Sequence, residues 1–207
     1  MENNWSDIAQ FTGQHVTLTV EAMVIAVSVA LPLALLAHRV PALGGAAVGT
    51  TAVLYTVPSL ALFGLLVPFT GIGRTTVLIG LTLYALLVLV RNTLVGLQGV
   101  PAEVRDAARG MGYSSTRRLL AVELPLALPA ILTGVRLATV STVALVTVGV
   151  VVGYGGLGQL MYRGFNSSYR AEIMTAALLC LLIALVADLL LLAAGRALTP
   201  WVRRRSA

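Results

Sequence analysis

Long apolar runs separated by short polar segments dominate the chain. Five of these runs approach the roughly 20 residues that a helix needs to cross the hydrocarbon core of a bilayer. The predicted spans are Val16–Ala37, Gly45–Val67, Ile72–Val90, Leu126–Val152 and Ile173–Ala194. The third run is the weakest because Arg74 interrupts its start, although an arginine there can extend towards the interface. The pattern predicts an all-α membrane protein with about five transmembrane helices.

The composition supports lipid as the solvent. Of the 207 residues, 58% are hydrophobic and 11% are charged, whereas a soluble domain has about 25% charged residues. A soluble core of this size could not bury so much apolar surface.

The charge distribution predicts the orientation of the chain. The net charge is +6 and every Lys/Arg position is an arginine. A basic chain can bind nucleic acid, but these arginines flank apolar segments, so we expect no nucleic-acid partner. With the N-terminus outside, the inner side holds Arg39, Arg91, Arg105, Arg109, Arg117, Arg118, Arg196, Arg203, Arg204 and Arg205, and the outer side holds Arg74, Arg163 and Arg170. This bias predicts a cytoplasmic C-terminus.

The chain divides into three predicted parts. Residues 1–13 form an extracytoplasmic segment without the basic region of a signal peptide, so we expect the first span to be retained. Residues 14–196 form the transmembrane domain, and residues 197–207 form a basic cytoplasmic tail. With Cys180 as the single cysteine and no clustered histidines, we expect no metal site.

The longest inner segment, about 91–123, is too long for a turn between two spans. Pro101 suits the first turn of a short helix, Gly112 offers its end, and Ser114 can cap a second short helix. The apolar stripe of the first helix is Val104, Ala108 and Met111. We expect a short amphipathic helix on the inner surface.

A spaced motif lies within this segment. It reads Asp106-Ala107-Ala108, three residues, Gly112, nine residues, then Val122-Glu123-Leu124-Pro125. It resembles the cytoplasmic loop of ABC importer permeases, which reads Glu-Ala-Ala, three residues, Gly, nine residues, Ile-x-Leu-Pro. The departures are Asp for Glu and Val for Ile, and both keep the chemical character of the position.

Other stretches resemble the osmoprotectant branch of that family, which imports glycine betaine, choline, carnitine and similar quaternary ammonium solutes. They are Val57–Leu62, Pro68–Gly73, Tyr84–Leu87, Arg91–Thr93 and Val122–Pro129. Methionine and amino-acid permeases share the architecture and remain the alternative within the family.

The resemblance implies a type I ABC importer fold whose loop helix docks on a cytoplasmic ATPase. The implied docking surface is Asp106, Ala107, Ala108 and Gly112, flanked by Glu103, Arg105, Arg109 and Met111. The implied partners are two ATPase subunits, a second permease, identical or related, and an extracytoplasmic solute-binding protein. The alternative for the loop is an interfacial helix without a partner.

The resemblance also implies that this permease has no catalytic site and moves its solute by alternating access. The chain lacks the phosphate-loop motif G-x-x-x-x-G-K-S/T. We therefore expect ATP and Mg²⁺ to be bound by the partner ATPase and no cofactor in this chain.

The stretch Gly153-Tyr154-Gly155-Gly156-Leu157-Gly158 fits the dinucleotide fingerprint G-x-G-x-x-G. That fingerprint requires a preceding strand, and here a predicted span precedes it, so we reject nucleotide binding. We expect a tight turn at the outer end of the pathway. Gly153, Gly155, Gly156 and Gly158 are candidate residues of an outer gate.

Glu21, Arg136 and Asp188 lie within or near apolar spans. Charges there are costly and often functional, so an ATP-independent ion-coupled carrier is the main alternative from another class. We favour structural roles for these charges; an Arg136–Asp188 pair is one arrangement that the sequence allows but does not establish. A membrane enzyme is least favoured because no nucleophile, base and metal-ligand set is clustered. The sequence does not identify the residues that bind substrate.

Overall fold

The computed structural model describes residues 4–40, 45, 49–50, 53 and 56–203. The helices are α1 (Asn4–Arg39), α2 (Ser59–Thr70), α3 (Arg74–Gln98), α4 (Ala102–Gly110), α5 (Ser115–Arg118), α6 (Leu124–Val148), α7 (Leu157–Asn166), α8 (Arg170–Leu198) and α9 (Pro200–Arg203). A π-helical turn, Leu119–Glu123, leads into α6, and a 3-10 turn, Gly149–Val152, follows it. The predicted all-α class is confirmed.

Four helical segments in the described part of the chain are long and apolar enough to cross a membrane. They are Trp5–Arg39, Arg74–Gln98, Ser115–Val152 and Arg170–Leu198. These segments match the first, third, fourth and fifth predicted spans. The second predicted span, 45–67, lies partly outside the described residues, and α2 contains its last part.

The boundaries differ from the prediction at both termini. Helix α1 begins at Asn4, so much of the expected N-terminal segment, 1–13, continues the first span as helix. The predicted tail includes the single turn α9, and its last residues, 204–207, lie outside the described part.

Two ends of the helical bundle matter for function. The "loop end" comprises α4, α5 and the C-terminus of α1, where Arg39 bonds to Thr116. The "glycine end" comprises the turn Gly153–Gly158 and the N-terminus of α1, where His15 bonds to the backbone of Leu157.

Helix α3 is the centre of the bundle, because it packs along both α1 and α6. One face of α1 carries an alanine at each turn towards this centre. Ala22, Ala26, Ala30 and Ala34 are all fully buried. Small side chains let helix backbones approach closely, which is how helices pack within lipid. The alanine stripe therefore determines how near α1 lies to the centre.

Helix α8 lies at the periphery of the chain. Of its residues, all of which the structure describes, Ala176 alone is buried. Leucines such as Leu181, Leu185 and Leu189 are more than half exposed. An apolar face of this kind requires lipid or another subunit against it.

We predict that Ala30→Leu destabilises the fold, because the added carbons have no space where α1 approaches its neighbours. Overpacking a core typically costs about 1–3 kcal/mol. The matched control is Val29→Leu on the same helix, since Val29 is 46% exposed. Thermal unfolding of the purified chain in detergent measures both. Equal melting temperatures for the two variants would contradict the close packing.

Candidate functional site

The end of α4 is shaped by hydrogen bonds that require a left-handed residue. Gly112 has φ +79°, a region that side-chain-bearing residues rarely adopt. The Gly112 N–H donates to the Arg109 carbonyl at 2.9 Å, and the Tyr113 N–H donates to the Ala108 carbonyl at 3.1 Å. These two bonds form a Schellman motif. Gly112 therefore ends α4 because glycine readily adopts the positive φ that these two hydrogen bonds require.

The second short helix begins as predicted. The Ser114 hydroxyl accepts a hydrogen bond from the Arg117 N–H at 3.3 Å, which caps α5. The Arg117 guanidinium also lies 4.3 Å from the centroid of the Tyr113 ring, a distance suited to a cation–π contact. The direction in which the chain leaves α4 is therefore fixed by local bonds.

Helix α4 presents three faces. The exposed face consists of Glu103, Asp106, Ala107 and Gly110. The inward face consists of Val104 and Ala108. The third face carries Arg105 and Arg109, one turn apart, which line a cavity of about 420 Å³ at the loop end.

Two residues of the implied docking surface and its flank differ in exposure. Ala108 is only 1% exposed, so its methyl group packs inside this chain. Met111 is 67% exposed, so it does not continue the inward stripe. It follows the last turn of α4, where the chain turns towards Gly112.

A buried carboxylate joins the segments of the loop end. Glu123 is 2% exposed, and its two oxygens lie 2.9 Å from His38 Nε2 and 2.7 Å from Arg118 Nε. Arg39 donates a further bond to the Thr116 hydroxyl at 3.2 Å. The C-terminus of α1 is thereby bonded to α5 and to the π-helical turn that begins the α6 segment. Sequence reasoning missed this cluster. The signal that could have indicated it is Glu123 itself, a charged residue between the apolar Val122 and Leu124.

The glycine end is a turn in which backbones nearly touch. A Cβ at Gly155 would lie 2.4 Å from the Val150 nitrogen, and one at Gly158 would lie 2.2 Å from the Thr147 carbonyl oxygen. Gly153 ends the 3-10 turn that follows α6. A helix and a 3-10 turn thus precede the glycines, where the dinucleotide fingerprint requires a strand.

His15 connects three elements at this end. It is fully buried, with Nε2 3.0 Å from the Val143 carbonyl oxygen and Nδ1 accepting from the Leu157 N–H at 3.3 Å. This pair of partners assigns the proton to Nε2. A Cβ at Gly156 would lie 2.8 Å from the His15 Cα. Sequence reasoning considered His15 only as a metal ligand and missed this role.

Ion pairs also tie the helices together at the glycine end. Arg163 of α7 contacts Asp7 of α1 at 2.7 Å and also Glu172 of α8. Hydrogen bonds to these two carboxylates raise the pKa of Arg163 above its ordinary value, so it stays charged throughout the physiological range.

The three charges weighed as carrier residues are paired within the chain. Glu21 binds Arg74 near the glycine end. Arg136 binds Asp188 through two bonds, of 2.9 Å and 2.8 Å, between α6 and α8. The Arg136–Asp188 pair that the sequence allowed is present. Paired charges favour a structural role.

We predict that Gly156→Ala lowers stability by more than about 1 kcal/mol, because Gly156 has φ +51° and no space beside His15. The control is Gly13→Ala, which lies in α1 with open space around the added carbon. That change should stabilise the helix by roughly 0.5–1 kcal/mol. Thermal unfolding in detergent compares them. Effects of the same sign and size would refute the packing described for this turn.

The chain matches the family model described as "Binding-protein-dependent transport system inner membrane component" over residues 22–204. Three curated permeases are similar along nearly their whole length. The osmoprotectant import permease OsmW of Salmonella typhimurium is 37% identical over 97% of this chain and 95% of its own. The carnitine transport permease OpuCB of Listeria monocytogenes is 34% identical, over 96% and 91%. The choline transport permease OpuBB of Bacillus subtilis is 31% identical, over 97% and 92%.

A solved structure shares the fold. The inward-facing MetNI methionine ABC transporter gives a TM-score of 0.86 at 21% identity, covering 96% of this chain and 99% of the matched one. The expected type I ABC importer transmembrane fold is confirmed. The chain belongs to the family of binding-protein-dependent ABC transport permeases and is a multi-pass membrane subunit without a catalytic site of its own.

Proposed function

We propose that this permease imports osmoprotectants, meaning glycine betaine, choline, carnitine or a related quaternary ammonium solute. The observation that carries the proposal is similarity of 31–37% identity, along nearly the whole chain, to permeases named for carnitine, choline and osmoprotectants. The methionine transporter shares the fold at a lower identity of 21%. An amino-acid solute is therefore the second candidate.

In this proposal the exposed face of α4 docks on a cytoplasmic ATPase. Glu103, Asp106 and Ala107 offer charged and small side chains there, with Met111 beside them. Ala108 supports the helix from inside, and Gly112 sets the angle at which it ends. The exposed charges there are Glu103 and the Asp106–Arg109 ion pair (3.0 Å), and they favour complementary charges on the partner groove.

The position of α4 in the chain suits it to transmit movement. Helix α4 follows α3 after only three residues, 99–101, and leads through α5 into the α6 segment. The Glu123 cluster extends this connection to α1. When ATP draws two ATPase subunits together, a docked α4 pulls on the ends of three long helices. The long helices then switch between inward-facing and outward-facing states as rigid bodies.

The remaining partners follow from the same proposal. A second permease, identical or related, completes the pathway and covers apolar surface of this chain. Two ATPase subunits bind ATP and Mg²⁺, and an extracytoplasmic solute-binding protein delivers the solute. The arginine bias supports a loop end in the cytoplasm and an N-terminus outside.

We further propose that the glycine end forms part of the outer gate, through Gly153, Gly155, Gly156 and Gly158. Its support is the close backbone packing of these glycines against α6 and His15. The glycines have no side chains that would obstruct closure of the turn, and the hydrogen bonds of the buried His15 hold the turn in place.

We predict ATP-dependent uptake of labelled glycine betaine, choline or carnitine by proteoliposomes that contain this permease, its cognate ATPase and its cognate solute-binding protein. Methionine serves as the competing solute in parallel vesicles. Uptake of methionine alone would keep the importer and reject the osmoprotectant assignment. Flux that persists without ATP or the partner proteins would support the carrier alternative.

We predict that Gly112→Val lowers ATP-driven uptake on the order of tenfold, since strained left-handed backbone costs about 1–3 kcal/mol and a β-branched residue cannot adopt it easily. The added side chain has open space around it, so the effect comes from the backbone. The matched control is Gly112→Asn, which tolerates this conformation and should retain most uptake. Equal amounts of inserted protein are verified first. Wild-type uptake by Gly112→Val would exclude the docking assignment.

A further inference from the structure

A basic cavity lies at the loop end between α1, α4, α5 and the π-helical turn. It measures about 420 Å³ and is lined by His38, Arg39, Arg105, Arg109, Ser115, Arg118, Leu119 and Glu123. Four arginines line it, and one of them, Arg109, is paired with Asp106 at 3.0 Å; the lining contains one carboxylate. That carboxylate, Glu123, is already bonded to His38 and Arg118.

Two of the arginines are available to a ligand. Among the residues that the structure describes, neither Arg39 nor Arg105 has a carboxylate within salt-bridge distance. Arg39 makes one bond, to the Thr116 hydroxyl, which leaves most of its five N–H donors free. Arg105 is half-buried on the flank of α4. Guanidinium groups arranged in this way suit the oxygens of a phosphate group.

The position of the cavity along the helices favours a lipid as the source of the phosphate group. Arg39 ends one apolar membrane-length segment, Trp5–Arg39, and the lining residues Ser115 to Glu123 begin another, Ser115–Val152. The cavity therefore lies where two apolar membrane-length segments meet the polar loop end, a position that suits a lipid headgroup. Leu119 contributes an apolar side chain to the lining. Basic pockets between membrane helices bind anionic headgroups.

We propose that this cavity binds the phosphate group of an anionic phospholipid, held by Arg39 and Arg105 with Arg109 at its rim. The bound headgroup contacts the end of α1 and the flank of α4 together. The site is independent of the transported solute, and its test needs neither ATPase nor transport.

The test titrates the purified full-length permease in detergent with phosphatidylglycerol and counts bound lipid by native mass spectrometry. Diacylglycerol with the same acyl chains is the control without phosphate. Inorganic phosphate tests the soluble source. We expect phosphatidylglycerol to bind, diacylglycerol not to bind, and the double variant Arg39→Gln/Arg105→Gln to bind roughly thirtyfold more weakly, since both arginines attract the anionic headgroup. The control variant is Arg91→Gln, an exposed arginine on α3 that does not line the cavity.

Each outcome decides the proposal. Selective loss in the double variant supports it, and competition by inorganic phosphate at millimolar concentration supports the phosphate chemistry with a second source. Equal loss in Arg91→Gln, or equal binding of diacylglycerol, overturns it. If the double variant binds phosphatidylglycerol as tightly as the wild type, these arginines do not hold the headgroup and the proposal is wrong.

Discussion

A bilayer interior offers no water to backbone N–H and C=O groups, and this constraint governs the whole chain. Each spanning segment must satisfy its own hydrogen bonds, which an α-helix does. The described backbone departs from regular α-helix mainly near the two ends of the bundle. The π-helical turn Leu119–Glu123 lies at one end and the 3-10 turn Gly149–Val152 at the other. The two regions that we assign to coupling and to gating are these same regions.

The loop end combines a partner-facing helix with a buried ionic anchor. Helix α4 exposes its acidic face, while Ala108 and the Gly112 backbone motif fix its position. Below it, Glu123 holds His38 and Arg118 in one cluster. Removing one partner from a buried charged group is strongly destabilising, so this cluster resists separation. A displacement of α4 is therefore transmitted to the long helices.

The sequence could predict the features that depend on local chemistry. The length of the apolar runs predicted four spans within the described residues. Gly112 and Ser114 predicted where one helix ends and the next begins, because their hydrogen bonds are made to nearby residues. The apolar stripe matched the inward side of α4 at Val104 and Ala108, but not at Met111, which lies beyond the last turn and is exposed. Sequence reasoning did not find His15 bonding to Val143, because that contact joins residues 128 positions apart. The alanine stripe of α1 was readable as a four-residue repeat and is a signal to seek in future sequences.

The most direct measurement is site-specific photocrosslinking in the assembled transporter, with benzoylphenylalanine replacing Ala107 on the exposed face of α4. Phe165, which is 71% exposed on α7 at the glycine end, is the matched control position. The account predicts that the probe at position 107 captures the ATPase and that the probe at position 165 does not. Capture of the ATPase from position 165, with none from position 107, would contradict the docking of α4.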